Sequence, residues 1–106
     1  MFEQQAPSPI QKIDDPFLIE KGITLMIKRE DLLHAEVSGN KWRKLKYNIF
    51  AAKEAGHDTL LTFGGAYSNH IHATAAAASD MGFKSIGIIR GEEHLPLNDT
   101  LKFANQ

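Results

Sequence analysis

The sequence predicts an α/β fold in which a parallel sheet is flanked by helices, and three observations support this. Two short apolar runs, residues 59–63 (TLLTF) and 85–89 (SIGII), have the pattern of strands covered on both faces of a sheet. An alanine-rich segment, predicted to be a helix over residues 69–81, separates them. Glycines stand at both ends of this segment, at Gly64-Gly65 and at Gly82. Such an order within about thirty residues is typical of a βαβ unit.

The first 22 residues are predicted to form an extended or irregular arm. Pro7, Pro9 and Pro16 lie in this segment, and proline has no N–H group to donate to a regular ladder. Residues 23–28 (ITLMIK) follow Gly22 and are predicted to form a short strand. We therefore divide the chain into an arm, residues 1–22, and a partial α/β domain, residues 23–106.

A helix is predicted over residues 41–55, after a turn-and-cap cluster at residues 38–40 (SGN). Its apolar residues recur at spacings of three and four, which places on one face Trp42, Leu45, Ile49 and Ala52. Gly56 stands where a left-handed glycine commonly ends a helix. Near the end of the sequence, Asn98 or Asp99 is a candidate cap for a further helix.

Two or three parallel strands make a poor free-standing sheet, because a stable sheet needs more strands or more cover. We therefore interpret the chain as a truncated piece of a larger α/β protein, or as a chain that needs a partner.

Composition narrows the class of function. The chain has 106 residues, of which 42% are hydrophobic and 24% charged, as in soluble globular domains. The formal net charge of −1 argues against a nucleic-acid or membrane binder, which normally carries a basic excess. Cysteine is absent, which excludes disulfides and thiolate metal sites. The first residues lack the features of a signal peptide, so we expect a cytoplasmic protein.

Lys41 is the first residue whose position suggests chemistry. It lies at the start of the predicted helix, where the helix dipole disfavours an ammonium and favours the neutral amine that attacks an aldehyde. The alternative is a solvated basic face, since Arg43, Lys44 and Lys46 are close in sequence. Position alone favours that alternative, because most lysines are surface charges.

The segment 64–70 (GGAYSNH) is the second candidate site. It follows a predicted strand and begins a predicted helix, and open α/β sheets bind ligands beyond the carboxyl ends of their strands. Its glycines let a ligand approach the backbone, and helix N–H groups can receive an anion. Ser68 and Asn69 are equally good helix caps, so a purely structural role explains them as well.

Together these segments resemble the family of 1-aminocyclopropane-1-carboxylate (ACC) deaminase and D-cysteine desulfhydrase. The resemblance covers the N-terminal portion of the family pattern, and the motifs occur in family order at residues 28–32 (KREDL), 39–41 (GNK), 43–45 (RKL), 64–65 (GG) and 68–70 (SNH). Members are pyridoxal-phosphate (PLP) enzymes with the fold of the tryptophan-synthase β subunit, known as fold type II. The resemblance implies a homodimeric lyase or deaminase that acts on a small amino acid.

The resemblance also implies roles for individual residues. Lys41 matches the lysine that carries PLP as a Schiff base and later moves protons, and Asn69 matches the residue that hydrogen-bonds the ring hydroxyl. Ser68 matches the residue beside the substrate carboxylate and is the second catalytic candidate. With Asn69, His70 and Tyr67, it forms the candidate substrate-binding set.

The sequence departs from the family pattern at two positions, and a third distinguishes two forms of the family. Tyr67 stands where glutamine is usual and His72 where arginine is common, while His70 fits the desulfhydrase form better than the deaminase form. We therefore expect elimination from a D-cysteine-like substrate in preference to ring opening of ACC. The phosphate-binding glycine loop of the family lies beyond the matched portion, so the alternative is an inactive fragment that contributes only an interaction surface.

Two competing motifs carry less weight. Ser38 and Lys41 satisfy S-x-x-K, but the S-D-N and K-T-G elements of the β-lactamase class are missing from the sequence. His70 and His72 are two residues apart on a helix and do not share a face, so no metal site is expected.

Overall fold

The computed structural model describes residue 2 and residues 7–106, and its first sheet has two antiparallel strands. Strand β1 (Ile10–Ile13) pairs with strand β2 (Leu25–Lys28) in a register that places Ile10 opposite Lys28. A short helix, α1 (Pro16–Glu20), lies between them. The Asp15 carboxylate accepts the N–H of Phe17 at 2.9 Å, and Pro16 occupies the first turn, where its missing donor costs nothing.

The prolines suggested an extended or irregular arm, and the structure gives this segment an extended strand followed by a short helix. Pro16 starts a helix instead of preventing one, and β1 gains regular hydrogen bonds by pairing with β2. The prediction also falls on residues 1 and 3–6, which lie outside the described residues. The expected strand at residues 23–28 is confirmed over its last four residues, as β2. It pairs antiparallel with β1 and does not join the parallel sheet.

Helix α2 (Asn40–Glu54) confirms the predicted helix over residues 41–55 to within one residue at each end. A single 3-10 turn, Glu30–Leu32, precedes it. Trp42, Leu45 and Ile49 are buried, as the apolar spacing predicted, and Gly56 has the left-handed φ of 75° that ends the helix. The local signals of periodicity and cap glycine were sufficient here.

The predicted βαβ unit is present. Strand β3 (Thr59–Gly64) and strand β4 (Lys84–Ile89) pair in parallel, with Thr59 opposite Lys84 and Gly64 opposite Ile89. Helix α3 (Asn69–Met81) connects them with the predicted bounds, and Gly82 closes it at φ 77°. Helix α4 (Asp99–Ala104) packs on α3 and is capped by Asn98, whose side-chain oxygen accepts the N–H of Leu101 at 3.0 Å.

The core lies where α2 packs against α3. Large side chains of α2 and Phe2 meet small ones of α3, since Ala73, Ala76 and Ala77 let the helices approach. Phe2 and Trp42 contribute an aromatic pair with ring centroids 4.6 Å apart.

The parallel sheet is covered on one face, which corrects the expectation of strands covered on both. Helix α3 packs against β3 and β4. On these strands large apolar side chains remain 45–67% exposed, namely Leu61, Phe63, Ile86 and Ile88. Within the described residues no helix or strand covers these side chains. The apolar runs therefore supply one sheet face that packs on α3 and one that is exposed.

Candidate active site

A cavity of about 580 Å³ lies where the first turns of α2 and α3 converge. One wall is formed by Ala35, Glu36, Ser38 and Gly39 and continues into Asn40 and Lys41. The other wall is formed by Ser68, Asn69, His70 and His72. The volume is within the range of small-molecule sites, roughly 300–1,000 Å³. The two candidate segments, around Lys41 and around Ser68, are nearly thirty positions apart in sequence and line the same cavity.

Lys41 is the second residue of α2, and the helix starts without a side-chain cap. Gly39 is the N-cap residue, with φ 61°. Neither Ser38 nor Asn40 caps the helix among the described residues, which corrects the expected turn-and-cap cluster. Both instead line the cavity beside Lys41. The start of α2 therefore has backbone N–H groups that no side chain of the described chain caps.

The loop between β3 and α3 is shaped by close packing at Gly64. A Cβ built on Gly64 would lie 2.7 Å from Ile71 Cγ1 and 2.8 Å from Ser68 Oγ, closer than real contacts allow. Only glycine therefore lets the end of β3 approach the start of α3 this closely. Beyond it, the Asn98 amide donates to the carbonyl of Ala66 at 2.9 Å and ties the loop to α4.

Ser68 caps helix α3. Its hydroxyl oxygen accepts the N–H groups of His70 and Ile71 at 3.2 and 3.3 Å. The structural role that the sequence allowed for Ser68 is thus present, and the hydroxyl hydrogen remains free to donate toward the cavity. Asn69 is the first helical residue, and its exposed side chain lines the cavity.

His70 joins the cavity to the sheet. A hydrogen bond of 2.7 Å connects its Nε2 to Thr62 Oγ1 of β3. Burial lowers the pKa of His70 below its ordinary value of 6.5, and the positive charges of Lys41 and Lys44 lower it further. The neutral form of the His70 imidazole is therefore favoured at neutral pH.

Glu36 and His72 are cavity residues to which the sequence analysis gave no role. The Glu36 carboxylate forms a short hydrogen bond with His72 Nε2, and the His72 ring stacks on Phe103 with centroids 3.8 Å apart. The unusual histidine at position 72 was visible in the sequence. Its partners were not, because they lie 36 and 31 positions away.

Tyr67 is the candidate that the structure does not bring to this cavity. Its side chain is 82% exposed and lines a separate depression of about 390 Å³ beside residues 91–98. Lys41, Ser68, Asn69 and His70 do share the cavity.

The residues present fit the reactive end of a PLP molecule. An amine on Lys41, a hydroxyl on Ser68 and an amide on Asn69 face one cavity of sufficient volume. Among the described residues, Lys41 makes no salt bridge that would hold its ammonium elsewhere. The fold and the cavity together define an α/β site that bears a lysine.

This chain is similar to several known proteins. No family model matches the chain. A protein named putative ACC deaminase from Pyrococcus abyssi is 42% identical over 79 residues, covering 74% of this chain and 24% of the relative. A bifunctional D-cysteine desulfhydrase/ACC deaminase, mitochondrial, from Arabidopsis thaliana is 40% identical over 93 residues, covering 88% and 23%. A D-cysteine desulfhydrase from Salmonella paratyphi A is 36% identical over 85 residues, covering 79% and 25%.

A solved structure agrees with these relatives. The crystal structure of an ACC deaminase homologue superposes with a TM-score of 0.75 at 38% identity, covering 85% of this chain and 27% of that one. The resemblance found in the motifs is confirmed: over most of its length this chain is homologous to the ACC deaminase and D-cysteine desulfhydrase family of enzymes. The chain spans about a quarter of the length of the curated relatives it matches. In the described part of the chain, no helix is long and apolar enough to cross a membrane.

Proposed function

We propose that this chain forms the lysine-bearing part of a PLP-dependent deaminase or desulfhydrase that acts on a small amino acid. The observation that supports this most directly is the convergence of Lys41 from α2 with Ser68, Asn69 and His70 from α3 around one cavity. β-Elimination from a D-cysteine-like substrate to pyruvate, ammonia and sulfide is the favoured activity, and ring opening of ACC is second.

The proposed roles follow from the chemistry of each side chain. Bound PLP would supply an electron sink for the substrate's α-carbon. Lys41 would hold the cofactor covalently and move a proton at its Nζ, while the Asn69 amide would donate to the oxygen on the cofactor ring. Ser68 would donate its hydroxyl hydrogen to the substrate carboxylate while its oxygen caps α3.

His70 supports the desulfhydrase activity within this proposal, because a histidine at this position resembles the desulfhydrase form of the family better than the deaminase form. Its Nε2 is engaged by Thr62, and its pKa lies below 6.5, so the imidazole would stay neutral beside Lys41.

Covalent trapping tests the role of Lys41. The purified chain is incubated with PLP, reduced with borohydride and digested, and modified lysines are located by mass spectrometry. We expect modification at Lys41 and its loss in Lys41→Ala. The matched control is Lys44→Ala, which removes an exposed lysine of the same helix outside the cavity lining. Equal modification of Lys41 and Lys44 would overturn the assignment.

Turnover is a separate measurement, made as pyruvate and sulfide released from D-cysteine, with ACC as the second substrate. We expect little or none from this chain alone, because the family's phosphate-binding loop lies beyond the matched portion. Robust turnover would contradict the interpretation of the chain as an incomplete active site. In this proposal the full-length protein is a cytoplasmic homodimer. It binds a small amino acid as substrate and binds neither nucleic acid nor a membrane.

The second candidate function is an inactive fragment that acts as an interaction surface. The exposed apolar side chains of β3 and β4, including Phe63 at 67% exposure, favour it. Sedimentation velocity would test it by comparing the chain with Phe63→Ser, which removes exposed apolar area without opening the core. Self-association that disappears in Phe63→Ser, together with absent trapping at Lys41, would favour this candidate over the enzyme.

A further inference from the structure

Glu30 connects the first two family-like motifs in space. It belongs to the segment 28–32, and its partners belong to the segment that starts α2. We propose that Glu30 is a positioning residue that holds the first turn of α2 so that the Lys41 amine faces the cavity. This proposal rests on the proposed role of Lys41. It adds the contacts that orient the lysine side chain.

The side chain of Glu30 binds α2 at Arg43, two residues after Lys41. Arg43 Nε donates to one carboxylate oxygen at 2.9 Å and Arg43 Nη2 to the other at 3.1 Å. This two-point geometry fixes direction as well as distance, which a lysine in place of Arg43 could not do. Ser8, only 6% exposed, donates its hydroxyl to the same carboxylate at 2.7 Å.

The backbone of Glu30 binds the start of α2 at Gly39, two residues before Lys41. The N–H of Gly39 donates to the Glu30 carbonyl at 3.0 Å. Because no side chain of the described chain caps α2, this bond and the Arg43 fork provide the anchoring that a cap residue usually gives. Lys41 lies midway between the two anchor points, so its backbone has little freedom to turn away from the cavity.

The charge of Glu30 suits this task. Hydrogen bonds from Arg43 and Ser8 lower the pKa of Glu30 to about 2, so the carboxylate stays ionised throughout the neutral range. A negative charge near the N-terminus of a helix is also favourable to the helix dipole.

The neighbouring carboxylate, Asp31, provides a contrast. It accepts from Arg29 at 2.7 Å, and both residues belong to the same short segment before α2. Arg29 donates otherwise to Gln11, so this ion pair makes no contact with the start of α2. Asp31→Asn therefore removes a negative charge one residue away from Glu30, as Glu30→Gln does at Glu30 itself. It leaves in place the contacts of Glu30 with the start of α2.

The pKa of His70 reports the position of Lys41 without any cofactor, because the Lys41 charge is one of the causes that lower it. It can be measured by NMR titration of the histidine ring protons. We expect Glu30→Gln to raise the pKa of His70 toward the value in Lys41→Ala. Loss of a negative charge by itself would lower the pKa of a histidine, so a rise identifies movement of the lysine.

Two further variants complete the test. Arg43→Lys keeps the charge but loses the fork, and we expect it to raise the pKa of His70 as well. Asp31→Asn is expected to leave the pKa of His70 unchanged or to lower it slightly. An unchanged pKa of His70 in both Glu30→Gln and Arg43→Lys, with each variant folded by circular dichroism, would overturn the proposal.

Trapping of PLP separates this proposal from the proposed function. If the wild-type chain is not modified at Lys41 but the pKa of His70 responds to Glu30→Gln, the positioning role stands and the cofactor role fails. If Lys41 is modified and neither the trapping rate nor the pKa of His70 changes in Glu30→Gln, the cofactor role stands and the positioning role fails. We expect a several-fold slower trapping in Glu30→Gln.

Discussion

Thr62 Oγ1 of β3 lies 2.7 Å from Nε2 of His70 in α3, and this hydrogen bond joins the sheet to the helix turn that lines the cavity. The bond is partly buried, and it fixes the imidazole in a position where the Lys41 charge acts on it. The cavity therefore depends on a strand residue outside its lining.

Removal of the Thr62 hydroxyl is expected to destabilise the chain. Thr62→Val keeps the shape of the side chain but leaves His70 Nε2 without its partner, at a cost of roughly 1 kcal/mol in the free energy of unfolding. Urea denaturation measures this cost. Thr62→Ser retains a hydroxyl and should recover most of the loss, whereas equal losses in the two variants would show that the hydrogen bond is not the cause.

The pKa of His70 predicts how stability depends on pH. Burial, then Lys41 and Lys44, lower this pKa below 6.5 in the folded chain, so the unfolded chain binds more protons as the pH falls. The contribution of His70 to stability is therefore complete above pH 6.5 and is lost as the pH falls through the folded pKa. His70→Gln should show a weaker loss of stability than the wild type between about pH 8 and pH 5, measured by urea denaturation.

Glu30 predicts a second dependence on pH, at lower values. Its pKa is lowered from 4.5 to about 2 by hydrogen bonds from Arg43 and Ser8. Its stabilising effect is therefore present above pH 4.5 and is lost as the pH falls toward 2. The wild type should lose more of its thermal stability in this window than Glu30→Gln, and parallel melting curves for the two proteins would argue against the lowered pKa.

Gly64 and Gly65 offer a matched pair for testing the close approach of β3 to α3. A methyl group on Gly64 would overlap Ile71 and Ser68, so Gly64→Ala is expected to cost about 1–3 kcal/mol in the free energy of unfolding. A methyl group on Gly65 meets only Arg90, at 3.5 Å, so Gly65→Ala should be much milder. Similar losses for both variants would show that packing at Gly64 is less tight than the contacts indicate.

Ser68 combines a helix cap with a proposed contact to substrate, and two substitutions of Ser68 separate these roles. Ser68→Ala removes the acceptor for two helix N–H groups and is expected to cost about 1 kcal/mol of stability. Ser79→Ala, at an exposed position of the same helix, is the control and should change stability little. Because Asp is also a good cap, Ser68→Asp should retain stability, yet its charge would repel a substrate carboxylate.

Local signals in the sequence predicted most of the secondary structure and part of the site. The bounds of α3 and, within a residue, of α2 followed from apolar spacing and from Gly56 and Gly82. The positions of Lys41 and Ser68 at helix starts followed from the same signals. Each depends on residues within a few positions of one another, which is why a single sequence reveals them.

The tertiary structure decided the contacts between distant segments. The pairing of β1 with β2, the Glu36–His72 bond in the cavity wall and the open face of the parallel sheet depend on which surfaces meet. Tyr67 and Asn69 are two positions apart, yet only Asn69 lines the cavity, because the turn before α3 directs their side chains differently. The sequence by itself determined that a lysine and a Ser-Asn-His segment begin two helices. Only the packing of those helices, through alanines on α3, brought them to one cavity.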